Sequence, residues 1–277
     1  MIRRSCCLVV LVGLAACGGS TPAPKASPTP TTRLSETASS AAIDSLWGLA
    51  VNAVRRGKWS DATKHLDRAL LEFPPGDPRA PQAHLWQGEA QFAMGSNLDA
   101  AREFRKASDD TPNDPIAPEA LLRVGDVYAD LWRRPELDPS YGQTALATYQ
   151  ELLNRYPGTS AAKRAQQRID DLQERFAYKE YKAALYYMRL KAYDSAIIYL
   201  KDLVVSYPRA AIVPEALDRL IDAYRALNYQ EDVQETCEYL RKYHSTNTAA
   251  LKTCAGVAAP SAPAAPPPVA PAPTPGT

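Results

Sequence analysis

Histidine is scarce in this 277-residue chain: three copies, His65, His84 and His244, stand far apart. The short spacings of a metal-ligand set do not occur among them, so neither a metal nor any other cofactor is expected. An excess of one charge is missing too, with 32 Lys and Arg against 31 Asp and Glu. Binding to a phosphate backbone draws on a basic excess, so nucleic acid is not an expected partner. The sequence has no glycine-rich phosphate loop, no nucleophile-elbow serine and no paired-histidine zinc motif. Its adjacent acids, Asp109 with Asp110 and Asp170 with Asp171, project apart on a helix rather than converge. The chain therefore reads as a non-enzyme. Long apolar runs are absent as well: Leu8–Leu14 falls far short of the roughly 20 residues a membrane-spanning helix needs.

What is present begins at the ends. Arg3 and Arg4 precede that short apolar run, the layout of an export signal over residues 1–16. Leu14, Ala15, Ala16 and Cys17 resemble the lipobox of bacterial lipoproteins, whose cysteine is acylated. Cys17 is the expected lipid attachment, and two or more acyl chains hold a protein stably at a bilayer where one does not. No Asp follows Cys17, which points in lipoprotein sorting to the outer membrane, at its periplasmic face. Residues 17–40 are mostly Pro, Ser, Thr and Ala, with too little apolar surface to offset ordering entropy, so a disordered tether is expected there. Residues 251–277 are richer still in Ala and Pro and are expected to form a disordered, extended tail. Beyond the signal and Cys17, two cysteines remain, Cys237 and Cys254. In an oxidising compartment they either pair and pin the C-terminal segment to the last helix, or stay as a buried and a free thiol.

Between the ends one pattern repeats: a small residue, a large apolar residue four on, another apolar residue three on, and proline five further. It appears as Ala62-Leu66-Ala69-Pro74, Ala100-Phe104-Ala107-Pro112, Ala145-Tyr149-Leu152-Pro157 and Ala196-Leu200-Leu203-Pro208, with Val233-Cys237-Leu240-Ser245 a degenerate fifth copy. Offsets of four and three trace one helix face, and the proline ends that helix. Each copy follows a first helix; Pro118-Glu119 and Pro214-Glu215 open the clearest two. Gly88 and Gly125 stand where two helices cross, as do Ala50, Ala184 and Ile221, and Gly57 and Gly95 occupy the turn between helices. This is the tetratricopeptide spacing, with intervals stretched beyond the usual 34 or so residues. An insertion at Arg133–Ser140 and a helix-forming stretch from Ala161 to Phe176 account for much of the surplus. The expected fold is all-α: a right-handed superhelix, an α-solenoid of five helix pairs. Repeats 1 and 2 span residues 41–114, repeat 3 with its insertion 115–159, and repeat 5 residues 210–250. Residues 160–209 hold a long helix running into repeat 4, about 45 Å over Ser160–Leu190.

On these residues the chain resembles the BamD family of outer-membrane lipoproteins, over roughly Ile43 to Ser245. The most telling stretch is Arg134–Pro208, with the insertion before Tyr141-Gly142-Gln143-Thr144-Ala145, then Leu153-Asn154-Arg155-Tyr156-Pro157, then the long helix. The resemblance implies a scaffold of the β-barrel assembly (Bam) complex. Its partners would be the POTRA domains of a BamA-like subunit, other Bam lipoproteins and unfolded outer-membrane barrel precursors. The Ala/Pro tail and the Cys237/Cys254 pair depart from the family pattern. A second resemblance, through Ala83–Ala90, is to envelope adaptors of the CpoB/YbgF type, which link peptidoglycan synthesis to outer-membrane constriction. That family usually carries a trimerising coiled coil where this chain has a Pro-rich stretch.

First helices of such pairs line the concave side. The positions that usually point there include Asp44, Trp47, Val51 and Val54, then Gln82, Leu85, Glu89 and Phe92. Trp47, Leu85 and Phe92 either form an apolar groove suited to an aromatic peptide end or pack against neighbouring helices. Glu119, Leu122, Asp126 and Ala129, and later Glu215, Asp218, Asp222 and Arg225, give an acidic lining that is either a surface for a basic partner or simply solvated. On the long helix the positions are Tyr178, Tyr181, Leu185 and Met188, a composition common at interfaces. Tyr178, Tyr181 and Arg189, with Arg133 and Arg134 of the insertion, are the expected partner-facing set.

Overall fold

Proline has no N–H to offer, and the first turn of a helix needs none; its fixed φ also suits that turn. Pro81, Pro118 and Pro214 accordingly open helices in the computed structural model, which describes the backbone of residues 30–257 and side chains from residue 39. In chain order the helices are α1 (Pro30–Arg55), α2 (Trp59–Glu72), α3 (Ala80–Ala93), α4 (Asn97–Asp109), α5 (Ala117–Leu131) and α6 (Ser140–Arg155). They continue as α7 (Ser160–Arg189), α8 (Tyr193–Ser206), α9 (Val213–Ala226), α10 (Gln230–Tyr243) and the short α11 (Thr248–Thr253), with no strand among the described residues. From α2 onward each helix packs on the next, and α3 also touches α5, as α5 touches α7. Contact between alternate helices is the mark of stacked antiparallel pairs, whose first members line one common side. The fold is thus an all-α solenoid of tetratricopeptide pairs.

A small residue set against a large one lets the two helices of a pair cross closely. A Cβ on Gly88 would lie 2.6 Å from the Phe104 ring, and one on Gly125 2.3 Å from the Tyr149 ring. The first and fourth pairs put Ala50 with Leu66 and Ala184 with Leu200, all fully buried. The fifth pair reverses the sizes, with Ile221 on the first helix and Cys237 on the second. Glycine is matched with an aromatic ring, alanine with leucine, and isoleucine with cysteine, so the couple holds a similar volume along the stack.

Turns between paired helices need one residue with positive φ. Gly57 (φ 64°) and Gly95 (φ 82°) supply it at no steric cost, whereas the fourth and fifth pairs use Lys191 (φ 57°) and Asn228 (φ 60°). The third pair has the insertion instead. Trp132 folds back from it, 2% exposed, with its ring 4.5 Å from Phe176 and the Arg175 guanidinium 4.9 Å away. Gly142 makes room for it, since a Cβ there would come within 2.3 Å of the indole.

The insertion is therefore anchored on α7, the expected long helix, which at 30 residues is the longest of the described helices. Ala161, Ala165, Ile169, Leu172 and Phe176 close one apolar cluster with α5 and α6. Ala177, Tyr181 and Ala184 open another with α8 and α9. The boundary between the two clusters falls inside an unbroken helix, between Phe176 and Ala177.

Two expected boundaries shift. α1 starts at Pro30, so the last part of the expected tether is helical; after the opening proline, Arg33, Leu34, Glu36 and Ala38 are better helix formers than the Pro/Thr run before them. At the other end α11 reaches Thr253, and Cys254 is tied down by a disulfide, so the expected tail begins later than residue 251. The export signal, Cys17 and residues after 257 lie outside the described residues. No helix among those described is long and apolar enough to cross a membrane.

Candidate functional site

The first helices α3, α5, α7 and α9 carry most of the residues read as concave-facing. Over pairs 2 and 3 that surface is a charge lattice. Arg123 Nε donates to Glu89 at 2.6 Å and Nη1 to Asp126 at 3.5 Å, tying α5 to α3. Burial works against the Arg123 charge, but the Glu89 and Asp126 carboxylates outweigh it and hold its pKa above the ordinary value. Asp126 also accepts from the Tyr149 hydroxyl at 2.8 Å and from Arg168 at 3.2 Å. Burial, reinforced by that carboxylate, pushes the Tyr149 phenol well up, so it stays a donor. Arg164 pairs with Glu119. Arg175, whose pKa burial lowers, gives Nη1 to the Ala129 carbonyl at 3.3 Å. The resulting hollow, about 400 Å³, is lined by Arg123, Arg168 and Arg175 against Asp126, Asp130 and Asp171, among others.

The acidic lining expected from Glu119 and Asp126 is therefore cancelled by arginines of α7. Those arginines were not singled out, although Arg164, Arg168 and Arg175 fall at offsets of four and seven, one helix face. Leu122 is also not a groove residue; it is buried in the α5–α6–α7 cluster.

The aromatic residues at the front do not share one surface. Trp47 is half-buried, its ring stacked 5.1 Å from Trp86 and 6.0 Å from Phe73, in the cluster of pairs 1 and 2. Leu85 and Phe92 are half-buried in a different cluster with α4 and α5, and Arg123 lies 5.2 Å from the Phe92 ring. Between them Gln87, 2% exposed, donates to Asp67 at 2.6 Å.

At the rear, Tyr181 is a correction to the partner-facing set. It is 4% exposed because the start of α9 packs over it, and its hydroxyl donates to Glu215 at 2.6 Å. Burial, with Glu215, pushes its pKa up to about 12. Tyr178 and Arg189 are exposed, the first 5.7 Å from Lys182 Nζ and the second 6.0 Å over the Tyr186 ring. Arg133 and Arg134 are exposed on the insertion, Arg133 pairing with Asp130 at 3.0 Å.

The stack ends in a strap. Cys237 on α10 is disulfide-bonded to Cys254 beyond α11, with Cα atoms 5.6 Å apart. Arg241 donates to the carbonyls of Cys254 (3.1 Å) and Val257 (2.8 Å), while Thr253 bonds Asp218 of α9. The described residues contain no cluster of three or more His, Cys, Asp or Glu able to hold a metal.

Stacked tetratricopeptide pairs define the class of helical-repeat solenoid proteins. Within it, this chain belongs to the family described as "YfiO: Outer membrane lipoprotein", whose model matches residues 41–240. It is 27% identical over 198 residues to the outer membrane protein assembly factor BamD of Xylella fastidiosa (strain 9a5c), covering 67% of this chain and 66% of that one. The BamD of Caulobacter vibrioides is 22% identical over 192 residues, covering 69% of this chain and 63% of its own length. The chain thus spans just under two thirds of the length of these curated relatives. Among solved structures, the TPR domain of P58(IPK) aligns at 15% identity with a TM-score of 0.45, over 82% of this chain and 59% of that one.

Proposed function

We propose that this protein is a non-enzymatic scaffold lipoprotein of outer-membrane protein assembly. The observation that carries the reading is the family match over residues 41–240, which takes in nearly all of the five helix pairs. Acylated at Cys17, it sits at the periplasmic face of the outer membrane and meets the membrane through that anchor alone. Its partners are the POTRA domains of a BamA-like subunit and other Bam lipoproteins. Unfolded barrel precursors are received by the front pairs, at two separate half-buried places, one at Trp47 and one at Leu85 and Phe92. Tyr178, Arg189, Arg133 and Arg134 are its exposed partner-facing residues. Nothing observed favours the peptidoglycan-coordinating alternative.

The test is co-purification through a C-terminal tag from membranes solubilised in mild detergent. A barrel subunit with POTRA domains is the expected companion. Recovery of wall synthases without it would overturn the reading. Cys17→Ala is expected to release the protein into the soluble periplasmic fraction; retention at the membrane would remove the lipid anchor from the account.

A further inference from the structure

We infer that the hollow between α7 and α9 is a docking site for an acidic peptide segment bearing a bulky apolar side chain. The hollow has a volume of about 320 Å³ and is lined by Lys182, Leu185, Met188, Arg189 and Arg219. Its chemistry has two parts, an apolar floor and a cationic rim.

The floor is Leu185 and Met188, both only half-buried. Met is flexible and polarizable and moulds itself to different apolar groups. The rim differs from the arginines of the first hollow. Over pairs 2 and 3, Arg123, Arg164 and Arg168 are each matched by a carboxylate at bonding distance. At the rear hollow, Lys182 and Arg189 are exposed and have no carboxylate partner among the described residues; each touches only a tyrosine ring, Tyr178 or Tyr186. The lining of the hollow holds no carboxylate; the acids of the facing helix bond other partners, Glu215 with Tyr181, Asp218 with Thr253 and Asp222 with Arg219. The lining therefore carries three positive side chains, one of them bonded to Asp222, around apolar atoms.

Charge complementarity selects the occupant. Asp or Glu side chains would meet Lys182 and Arg189, and a Leu- or Phe-sized group would cover Leu185 and Met188. Tyr178, Lys182, Leu185 and Arg189 succeed one another at offsets of four, three and four along one face of α7, so an extended or helical segment lying along that face reaches all of them. A bilayer surface is flat and cannot reach the floor of a hollow between two helices, which favours a peptide over anionic lipid. The inference rests on the reading that places Tyr178 and Arg189 on the partner-facing surface and names the chemistry of what docks there; peptide binding in vitro and co-purification of a barrel subunit can fail separately.

The experiment uses the purified, lipidated full chain in mild detergent and fluorescence anisotropy with labelled dodecapeptides. One peptide sets Leu and Phe among Asp and Glu; a second replaces every acid with Lys; a third keeps the acids and replaces Leu and Phe with Ala. The first is expected to bind at least ~10-fold tighter than either control. The double substitution Lys182→Glu with Arg189→Glu is expected to reverse the preference between the acidic and basic peptides while lowering the melting temperature only slightly, since neither side chain holds an ion pair and the cost is an acid in the last turn of α7. Equal binding of all three peptides, or an unchanged preference in the double variant, would overturn the proposal. So would binding of phosphatidylglycerol vesicles that the double variant loses, if no peptide binds.

Discussion

The front of the solenoid is fastened by ion pairs between helices, the rear by hydroxyl and backbone-carbonyl hydrogen bonds and a disulfide. Across pairs 2 and 3 ion pairs bridge different helices, Arg123 to Glu89, Arg105 to Glu151 and Arg155 to Asp109, and His84 hydrogen-bonds Glu103. Across pairs 4 and 5 the bridging contacts include the Tyr181–Glu215 and Thr253–Asp218 hydrogen bonds, the bonds of Arg225 and Arg241 to backbone carbonyls of residues 253–257, and the Cys237–Cys254 disulfide. Both ends use the same repeat and the same small-against-large crossing, so the repeat fixes the architecture and leaves the fastening free to vary. The fastening decides what each half is exposed to: pH at the front, reductant at the rear.

The crossing couple is the place to break a half outright. Phe104→Ala should cost about 3–5 kcal/mol, read by urea or thermal unfolding, because the ring fills the space above Gly88. Gly88→Ala alone should cost about 1–3 kcal/mol through overpacking. Adding Phe104→Leu to it recreates the Ala50–Leu66 couple of the first pair and should recover most of that loss. If the double variant is no better than the single, size matching is not what sets the crossing.

Removing the rear disulfide by Cys237→Ser with Cys254→Ser should cost about 3 kcal/mol, given the 17-residue separation of the two cysteines. Faster amide hydrogen exchange is expected in α9, α10 and α11, with α3 to α6 unchanged; loss of protection throughout would mean that the halves are not separately fastened.

Acid should sort the halves the other way. Burial works against the charged forms of Glu103 and Glu151, but the bonds from His84 and Lys106, and from Arg105 and Arg155, win and hold both carboxyls below the usual 4.5. A lowered folded pKa gives stability that is present above about pH 4.5 and lost as pH falls through the folded value. At the rear, burial and Asp218 raise Asp222, so its protonation relieves a penalty as pH falls. Exchange measured down a pH series should show α3 to α6 loosening before α9. The reverse order would contradict the assignment of charge to the front.

The smallest effect is at the turns. Lys191 holds a positive φ where the front pairs have glycine. Lys191→Gly should stabilise by about 1 kcal/mol, whereas Asn228→Gly should change little because asparagine tolerates that conformation. A loss of stability from Lys191→Gly would show that the Lys191 side chain is held in place by contacts.

Much of this fold was legible because a repeat states each rule several times. Pro118 and Pro214 marked helix starts, Gly57 and Gly95 marked turns, and the Gly- and Pro-free run after Ser160 marked α7. The concave surface was less legible, for two reasons. Repeat position fixes which way a residue points, but neighbouring helices decide whether it is covered: Tyr181 is hidden by the start of α9, and Leu122 by α6 and α7. Charge on one helix says little without its neighbour, so the acids of α5 looked like a surface until α7 supplied Arg164 and Arg168. Likewise the first residues of α1 and the last three of α11 lay in stretches whose Pro, Ser, Thr and Ala content outweighed a local helical signal.

The position of Phe176 also sets an order of events during synthesis. A chain made from its N-terminus completes the cluster of pairs 1 and 2 by Ala90 and the next by Leu131. The third pair is then left waiting, since its cluster needs Ile169, Leu172 and Phe176 from α7 and leans on Tyr207 as well. Until that helix has emerged, Trp132 has α6 on one side but lacks Phe176 and Arg175 on the other. The middle of the molecule should therefore be its last front-half segment to become resistant to protease, and a nascent chain stopped before Phe176 should be cut at the insertion while its first two pairs survive.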